Sequence, residues 1–193
     1  MGGVEWLLVV VAVLIVLGLY LSWSAGRLDR RHHAVESTAA VLDAELLRRS
    51  GAALELAASG LLDPATSALL ADASARARAA SSDHREQAES DLTKVLVAVF
   101  GDDEAVTELR TDPLRAEAID ELGRASWRAA YARRSHNAVV RSAQQRHRHR
   151  LVRWFRLAGH APMPQTVEFD DTIPPPLLVG SSPDDDEPSG SVL

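Results

Sequence analysis

Four carboxylates, Glu108, Glu117, Asp120 and Glu121, stand ahead of Gly123 and are the candidate ligands for a divalent cation. Carboxylate oxygens suit a hard cation that activates water. The seven histidines offer a second route to metal, with His147 and His149 as the best-spaced pair. Two residues apart on a helix, they point to different faces. Arg146, Arg148 and Arg150 flank them, and that positive potential opposes a cation. The chain has no cysteine, which removes disulfides and thiolate ligands from consideration. No cofactor and no metal ligand set is assigned.

The strongest charge asymmetry is basic. From Leu122 to Val167 there is no acidic residue and about ten arginines. Within it, Arg146, Arg148, Arg150, Arg153 and Arg156 are interleaved with Leu151, Val152, Trp154, Phe155 and Leu157. Arginine beside aromatic side chains suits nucleic acid, where phosphate meets guanidinium and bases stack. It equally suits an anionic membrane surface, where each arginine adds roughly 1 kcal/mol. The membrane reading is preferred, because the N-terminal segment already implies a bilayer. The plain alternative is a solvated helix end whose aromatics cap the core.

That N-terminal segment carries no charge from Trp6 to Gly26. About 21 helical residues reach roughly 31 Å, enough to cross the hydrocarbon core. Trp6 lies at one end and Tyr20 with Trp23 at the other, where aromatic belts form. A cleaved signal peptide is the competing reading, but it needs a basic n-region and a shorter apolar stretch, whereas Glu5 precedes this one. Arg27, Arg30 and Arg31 just past the span place that side in the cytoplasm by the positive-inside rule.

Beyond the span the apolar pattern is helical. Val35, Ala39, Leu42, Leu46, Arg49, Ala53 and Leu56 recur in steps of four and three, with Arg49 the one polar member. Gly60 ends this helix. Asp63-Pro64 predicts an N-cap followed by proline in the first turn, opening a helix to about Ala80 with Leu69, Leu70, Ala73 and Ala77 inward. A third helix covers about His84 to Phe100, with Ala88, Leu92, Val95, Leu96 and Val99 inward. A short turn of helix lies near Glu104 to Arg110. Asp112-Pro113 opens the last long helix, whose stripe is Ala118, Leu122, Ala125, Ala129, Ala132, His136, Val139 and Ala143. His136 on this stripe is expected to bond a neighbouring helix, with Asn137 its polar partner or else exposed. No segment alternates with period two, so no strand is expected.

From Ala161 onward the composition changes to proline and acid, including Asp184-Asp185-Asp186-Glu187. Such a stretch buries too little to offset its ordering entropy and is expected to be disordered. The domain reading is a transmembrane anchor at 1–26, a helical bundle at 27–160 and a disordered Pro-rich acidic tail at 161–193.

Two resemblances bear on function. The carboxylate group at 108–123 resembles a Nudix box, whose helix-borne carboxylates bind metal at a diphosphate. It departs from that box with Asp102 at the opening glycine position, Ala116 at the arginine position and Arg124 at the final aliphatic position. A Nudix domain also needs a mixed sheet around the helix. The alternative function, a metal-dependent nucleoside diphosphate hydrolase, is therefore set below a non-enzymatic one.

The wider resemblance is to the LemA family of bacterial membrane proteins, in a divergent actinobacterial form. It rests on the N-terminal span, on Leu42-Asp43-Ala44-Glu45-Leu46-Leu47-Arg48-Arg49 and on Ala132-Arg133-Arg134-Ser135-His136-Asn137-Ala138-Val139-Val140. In the second stretch His136 stands where the family motif has Tyr, while Asn137 and Val140 match. Leu54 and Glu55 stand where the family shows Pro-Asn. The resemblance implies a membrane-tethered antiparallel bundle and no defined reaction.

The expected fold class is all-α: a transmembrane helix, an up-and-down helical bundle and a disordered tail. The expected function is a scaffold or interaction module at the cytoplasmic membrane, with no catalytic residues. Its expected contacts are the lipid bilayer, anionic headgroups and an unidentified protein partner. The residues assigned to contact are Arg146, Arg148, Arg150, Arg153, Trp154, Phe155 and Arg156. Those assigned to the family motif are Arg48, Arg49, Arg133, Arg134, His136, Asn137 and Val140.

Overall fold

The computed structural model describes residues 3–151 and 164–178, with backbone alone for 4–5, 8–9, 18–33 and 146–151. All its regular structure is helical: α1 (Gly3–Ala58), α2 (Pro64–Ala79), α3 (Ser82–Phe100), α4 (Asp103–Leu109), α5 (Pro113–Leu151) and the single turn α6 (Pro175–Leu178). No strand occurs among the described residues.

Local chemistry explains the boundaries. α1 stops at Ala58, and Gly60 follows at φ 73°, the left-handed conformation that glycine adopts without a Cβ clash. Asp63 caps α2 by accepting from the Ala65 and Thr66 amides at 3.0 and 3.1 Å. Asp102 caps α4 in the same way, and Asp112 takes the Leu114 amide at 2.9 Å at the start of α5. Each of these caps satisfies amides that have no partner within the helix.

α1 packs against α5 and α2, α2 against α3, and α3 against α4. The directions alternate. Thr38 of α1 meets His136 of α5 while Leu42 and Leu46 meet Ala129 and Ala132, so α1 and α5 are antiparallel. The apolar interior has two parts. One joins Leu56, Leu70, Leu92, Leu96, Phe100, Ile119 and Leu122, and the other joins Leu42, Leu46, Ala129 and Ala132. The α1 stripe read from sequence faces inward from Leu42 to Leu56. In α2 the expectation for Leu69 is corrected: it is 48 % exposed, one position off the face that buries Leu70, Ala73 and Ala77.

α3 and α5 make few direct contacts, and the fourth side of the bundle is closed by residues 164–178. This corrects the expectation of a disordered tail over part of its length. Phe169 and Leu177 each enter one part of the apolar interior, and the backbone at Val167 and Asp170 is hydrogen-bonded by side chains of α5 and α3. Burying two large apolar side chains and pairing the chain's polar groups offsets the ordering entropy that composition alone leaves unmet. Residues 161–163 and 179–193 of that tail lie outside the described residues.

Among the described residues no helix is long and apolar enough to cross a membrane. The uncharged run of the sequence, Trp6 to Gly26, continues past Leu17 into positions whose side chains are not described. The helical backbone of α1 runs through it without a break into the bundle.

Candidate peptide groove and its buried polar layer

The strap formed by 164–178 has no helix or strand from Pro164 to Pro174, and no strand among the described residues pairs with it. Its backbone groups are met by side chains instead. Asn137 is the main clamp. Its Nδ2 donates to the Val167 carbonyl at 2.9 Å, and its Oδ1 accepts from the Val167 amide at 2.9 Å. One primary amide thus satisfies both polar groups of one residue, as a facing strand would. Further along, the Asp170 amide donates to Ser90 Oγ at 3.1 Å and the Asp170 carbonyl accepts from Thr93 Oγ1 at 2.5 Å. Gln144 holds the Pro164 carbonyl at 2.7 Å, and Arg110 donates to the Pro176 carbonyl at 3.2 Å.

Charge adds a second set of contacts. Arg133 pairs with Asp171 at 2.8 Å and with Glu168 at 3.3 Å, and its guanidinium lies 5.4 Å from the centroid of the Phe169 ring. It thus spans the two carboxylates and covers the aromatic ring between them. Phe169 is 7 % exposed and packs with Leu42, Leu46, Ala129 and Ala132. At the far end Leu177 is fully buried among the larger apolar group. Gly123 makes this approach possible: a Cβ there would lie 2.1 Å from the Leu177 carbonyl oxygen.

Beneath the strap, between the two parts of the apolar interior, lies a polar layer. Arg49 is 3 % exposed and Glu89 1 %. Arg49 Nη2 donates to Thr93 Oγ1 at 2.6 Å and approaches the Glu89 carbonyl oxygen at 3.4 Å. Thr93 in turn donates a hydrogen bond to the Asp170 carbonyl, so guanidinium, hydroxyl and strap carbonyl form one chain. Burial lowers the Arg49 pKa, opposed by the negative charges of Glu89, Asp171 and Asp170. Burial likewise raises the Glu89 carboxyl above the ordinary range, opposed by Arg49 and Arg85. Glu89 Oε2 and Arg49 Nε are buried without a hydrogen-bond partner, which leaves part of their desolvation uncompensated.

The residues of the family-like motifs gather around this groove and the α1–α5 contact. Arg49, Arg133 and Asn137 serve the groove as described. Asn137, expected either beside His136 or exposed, is 2 % exposed and faces the strap. His136 is buried and bonds Thr38 across to α1 at 3.1 Å. The Thr38 hydroxyl also faces the Ala34 and Val35 carbonyls at 3.1 and 3.0 Å, which leaves its lone pair for His136 Nδ1–H. Val140 is fully buried. Arg48 is exposed and pairs with Glu45, and Arg134 bonds the Ala130 carbonyl on its own helix.

The carboxylates considered for metal fall elsewhere. Asp120 pairs with Arg110 at 2.6 Å, and Glu121 pairs with Arg124 and Arg128 at 3.0 Å each. Glu108 and Glu117 are exposed. Among the described residues no group of three His, Cys, Asp or Glu is arranged to hold a metal ion. In the basic patch, Arg146, Arg148 and Arg150 lie in the last turns of α5, where only backbone is described. Arg153, Trp154, Phe155 and Arg156 lie outside the described residues.

Sequence reasoning missed Glu89, Thr93, Phe169 and Leu177. Glu89 and Thr93 fall in steps of four and three with Leu96 and Phe100 on the buried face of α3, but as polar residues they were not counted in its apolar stripe. For the strap the signal was Phe169 and the Leu177-Leu178 pair inside a proline-rich stretch. Compared with protein-family models, with curated proteins and with solved structures, the chain matches none.

Proposed function

We propose that this chain is a single-pass membrane protein whose helical bundle is a non-enzymatic interaction module on the cytoplasmic side. The observation that carries the reading is on α1. Residues 11–17 are seven consecutive apolar positions, all exposed, and at 100° per residue they cover every face of the helix. A helix apolar all round with no protein against it is at home in lipid, where its backbone polar groups are already satisfied internally. The uncharged run continuing to Gly26 has the length of a span. The resemblance to the LemA family points the same way.

The antiparallel register at Thr38 and His136 carries the end of α5 back toward the N-terminal half of α1. That arrangement supports contact of Arg146, Arg148, Arg150, Arg153, Trp154, Phe155 and Arg156 with anionic headgroups.

Alkaline carbonate washing of membranes tests the anchor. The full chain stays in the pellet, and a chain begun at Arg27 does not. Release of the full chain by carbonate would overturn the reading. A C-terminal alkaline phosphatase fusion that is active would reverse the orientation. For the basic patch, flotation of the Arg27 chain requires anionic lipid and is lost with Arg150→Glu, Arg153→Glu and Arg156→Glu together.

A further inference from the structure

We propose that the groove between α3 and α5 is a recognition site for an extended segment of a partner protein, one carrying an aromatic residue between carboxylates. Residues 164–178 are its resident occupant, displaced by a partner segment of the same chemistry. The inference rests on the reading of the bundle as an interaction module and is independent of the anchor.

The contacts are of two kinds. Asn137, Ser90 and Thr93 bind backbone atoms of the strap at Val167 and Asp170. Such bonds accept any side chain and supply affinity for extended chain, as strand addition does at a sheet edge. Selectivity comes from Arg133, which spans the carboxylates of Glu168 and Asp171, and from the apolar site beneath Phe169. An aromatic residue in a pocket with a charge pair at its rim is the usual anchor of a binding surface.

The strap is suited to leave. α5, α1, α2 and α3 follow one another through direct helix contacts, and the strap lies across the remaining side, between α3 and α5, so those three helix seams do not depend on it. It follows α5 in the chain, so its departure unthreads nothing. Its amide and carbonyl partners are hydroxyls, two carboxamides, the Glu86 carboxylate at the Glu168 amide and the Arg110 guanidinium at the Pro176 carbonyl, and the Arg133 ion pairs reach solvent at Glu168, which is exposed. Arg133 beside the pocket favours carboxylates at the positions of Glu168 and Asp171 and disfavours lysine there, while Glu86 meets the strap only at the Glu168 amide.

The test uses the full chain in detergent and a fluorescent peptide of residues 164–178, followed by anisotropy. Phe169→Ala loosens the resident strap, so this variant binds the peptide at least tenfold more tightly than the unaltered chain does. Adding Asn137→Leu to Phe169→Ala abolishes binding. A peptide with Lys in place of both Glu168 and Asp171 does not bind. A helical Phe169→Ala chain that ignores the peptide, or that takes the charge-reversed peptide equally well, would overturn the proposal. Hydrogen exchange of the unaltered chain supplies an independent measure if Phe169→Ala unfolds. The amides of Val167 and Asp170 exchange at least a hundredfold faster than those of Leu92 and Ala129. Equal rates, meaning release only on global unfolding, would overturn it. Neither readout depends on membrane attachment, so failure here and failure of the anchor are separate results.

Discussion

Arg49 and Asp170 are joined through a single hydroxyl: Arg49 donates to Thr93 at 2.6 Å, and Thr93 donates to the Asp170 carbonyl at 2.5 Å. The first helix of the bundle therefore holds the last described segment of the chain across α3. A guanidinium in an apolar interior needs acceptors, and the strap contributes to them through Thr93 and through the charges of Asp170 and Asp171.

Thr93→Val keeps the shape and removes the hydroxyl. Arg49 then loses an acceptor and the Asp170 carbonyl loses a donor, at about 1–3 kcal/mol for a buried group left unmet. Urea denaturation followed by circular dichroism reads this loss, and Thr93→Ser recovers most of it. A Thr93→Val chain as stable as the original would show that the hydroxyl chain contributes nothing.

Glu89 sets a pH dependence of definite sign. Its carboxyl is raised by burial, so the folded state holds the proton more tightly than the unfolded state does. The stability this contributes is full below the ordinary Glu range and is lost as pH rises through the raised value. Glu89→Gln has no such titration, so the stability difference between the two chains shifts toward the glutamine form with rising pH. Asp170 acts in the opposite sense. Its carboxyl is lowered, first by the Thr172 hydroxyl and then by the Thr172 amide, so its contribution is lost as pH falls below the ordinary Asp range. Denaturation curves across the acid-to-neutral range check both signs; a constant difference between Glu89→Gln and the original chain would contradict the first.

Asn137→Leu leaves the Val167 amide and carbonyl without their partner. The expected cost is about 1–3 kcal/mol, concentrated on the strap and not on the helices. Limited proteolysis should then cut between 164 and 174 well before it cuts α5. Unchanged protection of that stretch would show that Asn137 does not hold it.

Gly123→Ala separates helix from strap. Alanine favours an isolated helix over glycine by about 1 kcal/mol, yet the new methyl meets the Leu177 carbonyl at 2.1 Å. The strap end must move, and with it the fully buried Leu177 side chain. The expected result is a net fall in Tm with full helix content. Leu177→Ala costs about 2–5 kcal/mol by itself. The two changes together cost less than their sum, because each removes the same contact.

The helices were legible because their signals are local. Steps of four and three from Leu42 to Leu56 mark a buried face, and Asp63-Pro64 and Asp112-Pro113 mark helix starts whatever surrounds them. The strap was not, because nothing within it determines its state. Val167 and Phe169 make an alternation of only two members, too short to mark a strand, Leu177 stands eight residues on, and the groups that order the strap are Asn137, Ser90 and Thr93, far off in sequence. Proline and acid content describe what such a segment does alone, and here it is not alone. Asn137 was ambiguous for the same reason, since its partner lies 30 residues away.

The order of the chain has a consequence for biosynthesis. All the helices that wall the groove precede residues 164–178, so they leave the ribosome ahead of their own closing segment. During that interval the site under Phe169 and the recess beside Gly123 stand open on a nascent protein. A segment delivered then meets no competitor, whereas one arriving later must first evict the incumbent.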